Sequence, residues 1–207
     1  MDWFSLSKAS VVYYTNNYQM KQSELFTKTS KTAPSEEEAI NAKLLIKGGF
    51  IRKMSAGVYA YLPLAHRVLS KIIQIIREEM NAIGGQEVLM NTLVAKEYLE
   101  KSSRWHTDVA YEFKSPFGEE MALGWTHEEV ITAIATHFLS SYKDLPFSAY
   151  QFQTKFRAEP RAKSGLLRGR EFLMKDLYSF HASKEDLEIF YIKAMAAYKK
   201  VFKRLSL

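Results

Sequence analysis

The sequence predicts an α+β fold in which helices flank an antiparallel sheet. Segments with apolar residues at helical spacing alternate with short segments rich in β-branched and aromatic residues. Two long strand segments are joined by one tight loop, and this arrangement favours antiparallel pairing. The chain has 207 residues, of which 47% are hydrophobic, and this is ample for a globular core.

The first half of the chain predicts a helix, a strand, a longer helix and another strand. Ser35 and Glu38 have the spacing of a capping box, and Gly48-Gly49 would end the helix that follows. The segment GVYAYLP is typical of a short strand that ends at Pro63. Apolar residues at helical spacing then predict a long amphipathic helix over about residues 64–83, and QEVLM predicts the next strand.

The second half predicts two hairpins and two helices. YEFKSPFGEEMALGW reads as a hairpin, and KFRAEPRAKSGLLRGREFLMKD predicts a strand, a loop and a returning strand. Thr126 and Glu129 have the spacing of a second capping box, which would open a helix running to about Tyr142. Ser183 and Asp186 are predicted to cap the terminal helix.

Composition excludes several classes of site and location. The net charge of +6 weakly favours a polyanionic partner, and the absence of cysteine excludes disulfides and thiolate chemistry. The five histidines are scattered without metal-ligand spacing, so no metal site is predicted. No apolar run approaches the ~20 residues that cross a bilayer, and we expect a cytoplasmic protein without a membrane partner. Residues 1–19 are predicted to be a disordered or non-native extension, and residues 20–207 the folded domain.

The alternation of side chains along the two strands of the second hairpin suggests a nucleotide site. Because strand side chains alternate between faces, five polar residues of the first strand share one face: Gln151, Gln153, Lys155, Arg157 and Glu159. On the returning strand Phe172 and Asp176 share a face. If the register brings these two faces together, a guanidinium, a carboxylate and an aromatic ring converge beside a basic loop. Such groups can bind phosphate, accept from an exocyclic amine and stack on a base.

A second interpretation of the same pattern is a solvated hairpin whose charges pair with one another, and the pattern alone favours it. Gly165 and Gly169 would let the loop backbone move or approach a ligand. Asp176 could be an ion-pair partner within the sheet. Composition does not decide between the two interpretations.

The residues themselves resemble a known family. FRAE followed by a basic loop and RGREFLMKD resembles motif 2 of class II aminoacyl-tRNA synthetases. GLLRGREFLMKDLYSFH is similar to the bacterial type of prolyl-tRNA synthetases. MSAGVYAYLPLAHRVLSKIIQIIREEMNAIGGQEVLM resembles the motif 1 of that family, and LGWTHEEVIT its proline-binding segment. The resemblance covers about residues 20–207 and implies a class II synthetase catalytic core.

The resemblance implies roles for motif 2 residues. Arg157 matches the catalytic arginine that holds the ATP α-phosphate and the amino-acid carboxylate. Glu159 matches the glutamate that binds the amino group of adenine, and Arg168 matches the arginine on the γ-phosphate. Phe172 matches the ring that stacks on adenine. These four residues are the ATP-binding residues that the resemblance implies.

The resemblance also implies a proline site and partners. Thr126 and Glu128, together with Arg157, match the residues that bind proline. Thr126 is also a credible N-cap and Glu128 an ordinary first-turn acid. Without the resemblance these structural explanations are preferred, and with it both roles can hold together. Pro63 and the helix after it match the motif 1 contact of a homodimer. The implied ligands are proline, ATP with Mg²⁺ and tRNA(Pro), but no Mg²⁺ ligand can be assigned in this chain.

Two departures from the family keep alternatives open. Trp125 replaces the usual proline of the proline-binding segment, which leaves open a class II synthetase for another small amino acid. Motif 3 is absent, so the resemblance implies the N-terminal part of a catalytic domain. The implied activity is ATP-dependent formation of prolyl-adenylate and transfer of proline to tRNA(Pro). The alternative is a non-catalytic paralogue that binds nucleotide or tRNA.

Overall fold

The computed structural model describes residues 21–32, 35, 37–161 and 163–207. The extension predicted over residues 1–19 lies outside them. The described residues form five α-helices and eight β-strands, joined in places by short 3-10 turns. In chain order these elements are α1 (Ile40–Lys47), β1 (Ile51–Ser55), β2 (Val58–Tyr61), α2 (Pro63–Ala82), β3 (Gly85–Glu87), β4 (Leu93–Ala95), α3 (Lys96–Lys101), β5 (Tyr111–Lys114), β6 (Glu120–Leu123), α4 (Glu128–Phe138), β7 (Phe147–Phe156), β8 (Glu171–Phe180) and α5 (Lys184–Arg204).

The strands form three small sheets, and the predicted α+β class is confirmed. β1 and β2 form a hairpin, β4, β6 and β5 form a second sheet in that order, and β3, β7 and β8 form the third. β3 runs parallel to β7, whereas the other strand pairs among the described residues are antiparallel. The two predicted hairpins are therefore confirmed as β5–β6 and β7–β8.

The helix ends are predicted correctly where a local signal acts alone. α2 starts with Pro63 at its first position, where the missing N–H costs no hydrogen bond, and ends at Ala82 before Gly84. Ser183 Oγ accepts a hydrogen bond from the backbone N–H of Asp186 at 3.2 Å, so the predicted cap of α5 is confirmed.

The capping box predicted at Ser35 is wrong, because α1 begins only at Ile40. The buried carboxylate of Glu37 accepts a hydrogen bond from Tyr59 Oη at 3.1 Å and pairs with Lys53 Nζ at 3.1 Å. These contacts hold the segment before Ile40 against the β1–β2 hairpin. A tertiary ion pair therefore prevails over the local capping signal.

The capping box predicted at Thr126 is also wrong. Thr126 Oγ1 donates to the Glu128 carboxylate at 2.5 Å instead of accepting from a backbone N–H. Glu129 accepts a hydrogen bond from Ser102 Oγ at 2.7 Å. α4 also ends before Tyr142, which lies in a separate 3-10 turn.

The register of β7 and β8 decides which side chains share a face. Lys155 lies opposite Phe172, and Gln151 lies opposite Asp176, so the two polar faces predicted from parity are the same face of the sheet. Tyr150, on the other face, is fully buried in a cluster with Met80 of α2 and Ala197 of α5. These helices cover that face of the sheet, and the face of Lys155 and Phe172 carries the site.

The loop between β7 and β8 is packed against the protein. Gly165 has φ +62°, and a Cβ there would lie 2.1 Å from Asn41 Oδ1 of α1. Asn41 Nδ2 donates to the carbonyl of Ser164 at 3.0 Å, and Leu166 packs against the cluster of Ala42, Ile51 and Ala65. A Cβ at Gly169 would lie 2.9 Å from the carbonyl of Gly57 in the β1–β2 turn. Each glycine therefore allows close approach of the protein's own segments, and the role expected for them toward a ligand stays a prediction.

Candidate active site

Arg157 follows the last residue of β7 and lies over the ring of Phe172. Its Cζ is 5.4 Å from the ring centroid, which is within the range of a cation–π contact. Its Nη2 donates to the carbonyl of Trp125 at 3.4 Å. One guanidinium therefore connects the ring predicted to stack on adenine with the 124–128 segment predicted to bind proline.

Glu159 and Arg168 bind one another in this structure. Arg168 donates to Glu159 Oε2 from Nε at 3.0 Å and from Nη2 at 2.6 Å. The Glu159 side chain is 11% exposed, whereas that of Arg168 is 58% exposed. Arg170 Nε donates to the Glu159 carbonyl at 2.9 Å and so fixes the backbone at this position. The residues predicted to bind the two ends of ATP are adjacent, and their ion pair has to open if both bind the nucleotide.

Thr126 and Glu128 also lie together, at the start of α4. Glu128 Oε2 accepts hydrogen bonds from Thr126 Oγ1 at 2.5 Å and from Arg104 Nη1 at 2.9 Å. Burial alone would raise the pKa of Glu128, but the hydrogen bonds from Thr126, a backbone N–H and Arg104 outweigh it. The pKa of Glu128 therefore lies below its ordinary value, and the side chain is an anion at neutral pH.

Arg104 is a site residue that sequence reasoning missed. It lies in the turn after α3 and bridges Glu128 and Glu129, with Nη1 3.2 Å from Glu129 Oε1. Arg104 and Glu128 line a cleft of about 750 Å³ between α3 and α4. The contact joins residues 24 positions apart, so no local spacing in the sequence signals it.

A buried polar cluster lies beneath the 124–128 segment. Lys155, His127 and Gln151 are fully buried, and Asp176 and Tyr178 complete the cluster. Lys155 Nζ donates to Asp176 Oδ2 at 2.9 Å, so the ion pair considered for Asp176 at the sequence level is present in the structure. Trp125, the departure from the family pattern, is 4% exposed and packs in a core cluster with Ile131.

Some classes of site and segment are not found among the described residues. In that part of the chain, no group of three or more histidine or acidic side chains is arranged to hold a metal ion. No helix in the same part is both long and apolar enough to cross a membrane.

Comparison with known proteins identifies a matching domain family and similar proteins. Residues 111–207 match the model of the tRNA synthetase class II core domain (G, H, P, S and T). The chain is 50% identical over 190 residues to the proline–tRNA ligase of Syntrophomonas wolfei, covering 91% of this chain and 33% of that protein. It is also 50% identical over 190 residues to the proline–tRNA ligase of Lysinibacillus sphaericus, and the match covers 91% of this chain and 34% of that protein. The chain thus spans about one third of the length of these curated relatives.

Solved structures support the same fold. The prolyl-tRNA synthetase of Giardia lamblia, solved with prolyl-adenylate, aligns with a TM-score of 0.68 at 23% identity, over 74% of this chain and 33% of that one. The prolyl-tRNA synthetase of Cryptosporidium parvum, solved with L-proline and AMP, aligns with a TM-score of 0.70 at 18% identity. The alignment covers 78% of this chain and 33% of that one. The sequence relatives, the matched core domain and the shared fold agree, and this chain is similar to about one third of a prolyl-tRNA synthetase of class II.

Proposed function

We propose that this chain forms the proline- and ATP-binding part of a proline–tRNA ligase. The enzyme would activate proline with ATP to prolyl-adenylate and then transfer proline to tRNA(Pro). The observation that carries this proposal is the position of Arg157, between the Phe172 ring and the carbonyl of Trp125. A group in that position can contact the phosphate of a nucleotide stacked on Phe172 and the carboxylate of an amino acid beside residues 124–128 at the same time.

The proposed chemistry depends on positioning and charge. A carboxylate oxygen of proline attacks the α-phosphorus of ATP, the bond from that phosphorus to the bridging oxygen breaks, and pyrophosphate leaves. Arg157 would hold the attacking carboxylate near the α-phosphate and stabilise the negative charge that develops there. Glu128, with its lowered pKa, would supply the countercharge to the secondary ammonium of proline. The family resemblance implies that ATP would bind together with Mg²⁺.

The other residue roles and partners follow from the family resemblance and are part of the proposal. Glu159 and Phe172 would bind adenine, and Arg168 the γ-phosphate, after the Glu159–Arg168 pair opens. A homodimer would form through Pro63 and α2. The acceptor tRNA(Pro) and the cytoplasmic location are proposed on the same grounds.

Equilibrium binding tests the proposal on the intact 207-residue chain. Titration calorimetry with L-proline and with ATP is expected to give saturable binding of each, and L-alanine is expected to bind at least about tenfold more weakly because it lacks the ring and the secondary ammonium. A folded chain that binds ATP but prefers no amino acid would instead support the non-catalytic paralogue. A folded chain that binds neither ligand would contradict the ligase and the nucleotide-binding paralogue, and would leave a paralogue that binds tRNA alone.

Arg168 allows a sharper test of the nucleotide orientation. Replacing Arg168 by alanine is expected to weaken ATP binding by about tenfold, because a charge-assisted contact to the γ-phosphate is lost. AMP has no γ-phosphate, and its affinity is expected to stay within about twofold or to rise, since Glu159 is freed. Calorimetry with both nucleotides measures the difference. Equal weakening of ATP and AMP would contradict the assignment of Arg168 to the γ-phosphate end.

A further inference from the structure

Lys155 is a buried cation that the proposed chemistry does not use. Its side chain is 0% exposed and lies on the site face of β7, opposite Phe172. A buried ammonium carries a large desolvation cost unless it is paired and hydrogen-bonded. Burial lowers the pKa of Lys155, and the carboxylate of Asp176 opposes that effect. A fully buried charge beneath a binding segment calls for an explanation beyond core packing.

The ammonium of Lys155 contacts two groups at once. It donates to Asp176 Oδ2 at 2.9 Å and is hydrogen-bonded to His127 Nδ1. Gln151 Nε2 and Tyr178 Oη donate to the same Asp176 oxygen, at 3.0 and 2.8 Å. The carboxylate of Asp176 on β8 is thus the centre of three donors, and Lys155 supplies the positive charge that balances it.

His127 is held from both its side chain and its backbone. Its Nε2 lies 2.8 Å from the carbonyl of Asn91, so Nε2 carries the proton and Nδ1 presents a lone pair to Lys155. The backbone N–H of His127 donates to Tyr178 Oη at 3.0 Å, and Tyr178 in turn donates to Asp176. Burial and the charge of Lys155 both lower the pKa of His127, which keeps the ring neutral.

The neighbours of His127 in the chain are Thr126 and Glu128, the two residues proposed to receive the amino group of proline. Consecutive Cα atoms stay about 3.8 Å apart across a planar peptide, so a displacement of His127 also displaces Thr126 and Glu128. We propose that Lys155 is a positioning residue for proline recognition, which acts through His127 and Asp176 to hold the Thr126–Glu128 segment in place. This proposal rests on the proposed function for its ligand, L-proline, and on the structure for its geometry.

The proposal predicts a selective loss of proline affinity. Lys155→Met keeps an unbranched side chain of similar length but removes the ammonium. It is expected to raise the Kd for L-proline by about tenfold or more, because small displacements of binding groups have large effects, while the Kd for ATP stays within about twofold. Lys175→Met is the matched control, since Lys175 lies on the opposite face of β8 and contacts Tyr198 of α5. The control is expected to leave both affinities unchanged.

Tyr178→Phe keeps the test valid if Lys155→Met does not fold. It removes one hydroxyl that joins the His127 backbone to Asp176, and we expect weaker proline binding, unchanged ATP binding and faster hydrogen exchange of the His127 amide. Nitrogen-15 signals of the His127 ring are expected to show a neutral ring protonated at Nε2 in the unaltered chain. Unchanged proline affinity in a folded Lys155→Met or Tyr178→Phe chain, or equal losses for proline and ATP, would overturn the proposal.

The failure of this proposal can be distinguished from failure of the proposed function. If the unaltered chain binds no proline, the proposed function fails, and hydrogen exchange decides the positioning role on its own. Faster exchange of the Thr126–Glu128 amides in Tyr178→Phe or Lys155→Met, with Lys175→Met unchanged, supports positioning by the cluster. Unchanged exchange at these amides in a folded variant overturns it.

Discussion

Replacing Arg157 by alanine is expected to lower the rate of proline-dependent ATP–pyrophosphate exchange by about 10³-fold or more. The guanidinium lies over Phe172 and reaches the carbonyl of Trp125, so its removal takes away a group placed to contact both proposed substrates. The loss should fall on the rate constant more than on the Michaelis constant for ATP, because the charge that Arg157 stabilises develops during the reaction.

Two further variants make the Arg157 result specific. Arg157→Lys keeps the charge but loses the planar fork, and we expect it to recover only a small part of the rate. Arg52→Ala removes an exposed arginine on β1 and is expected to leave the rate unchanged. Exchange by Arg157→Ala within about threefold of the unaltered chain would contradict the assigned role, since loss of such a contact in the transition state costs far more.

Glu128→Gln is expected to raise the Kd for L-proline by about tenfold to a hundredfold while the affinity for ATP changes little. The substitution keeps the size and an acceptor oxygen but removes the negative charge that would pair with the secondary ammonium. Because the pKa of Glu128 is lowered, proline binding by the unaltered chain should persist as the pH falls through the ordinary titration range of a glutamate. It should weaken only when the pH approaches the lowered value.

Calorimetric titration of proline into the two proteins over a range of pH checks this prediction. Glu188→Gln on α5 is a suitable control, because its side chain is 64% exposed and its partner Lys184 lies on the same helix. Equal proline affinities for Glu128→Gln and the unaltered chain would show that the ammonium is recognised elsewhere. A loss of proline binding already at the ordinary glutamate pKa would contradict the stabilised carboxylate.

Features that depend on the two-residue repeat of strands or the ~3.6-residue repeat of helices could be predicted from the sequence. Alternation predicted that Lys155 lies on the polar face of β7 and that Phe172 and Asp176 share a face of β8, and the observed register brings these two faces together. Helical spacing and Pro63 predicted α2 almost to its ends. These signals succeed because the pleat and the helix repeat are local properties that tertiary contacts seldom overturn.

Prediction was wrong where long-range contacts compete with local ones. Glu37 is bound by Tyr59 and Lys53 and delays the start of α1, although Ser35 and Glu38 have the spacing of a cap. The pairing of Arg104 with Glu128 and of Lys155 with His127 joins residues 24 and 28 positions apart, and nothing in the local pattern marks them. An alternating charged strand suggests a solvated face, whereas the side chain of Lys155 in this strand is fully buried.

Proline-dependent ATP–pyrophosphate exchange by the unaltered 207-residue chain tests the central claim most directly. The assay requires proline, ATP and the groups that bring them together to act in one site. The account predicts exchange that depends on L-proline, is not supported by L-alanine at equal concentration, and is lost in Arg157→Ala. A folded chain that binds both ligands yet shows no proline-dependent exchange would contradict the claim that these residues form a working activation site.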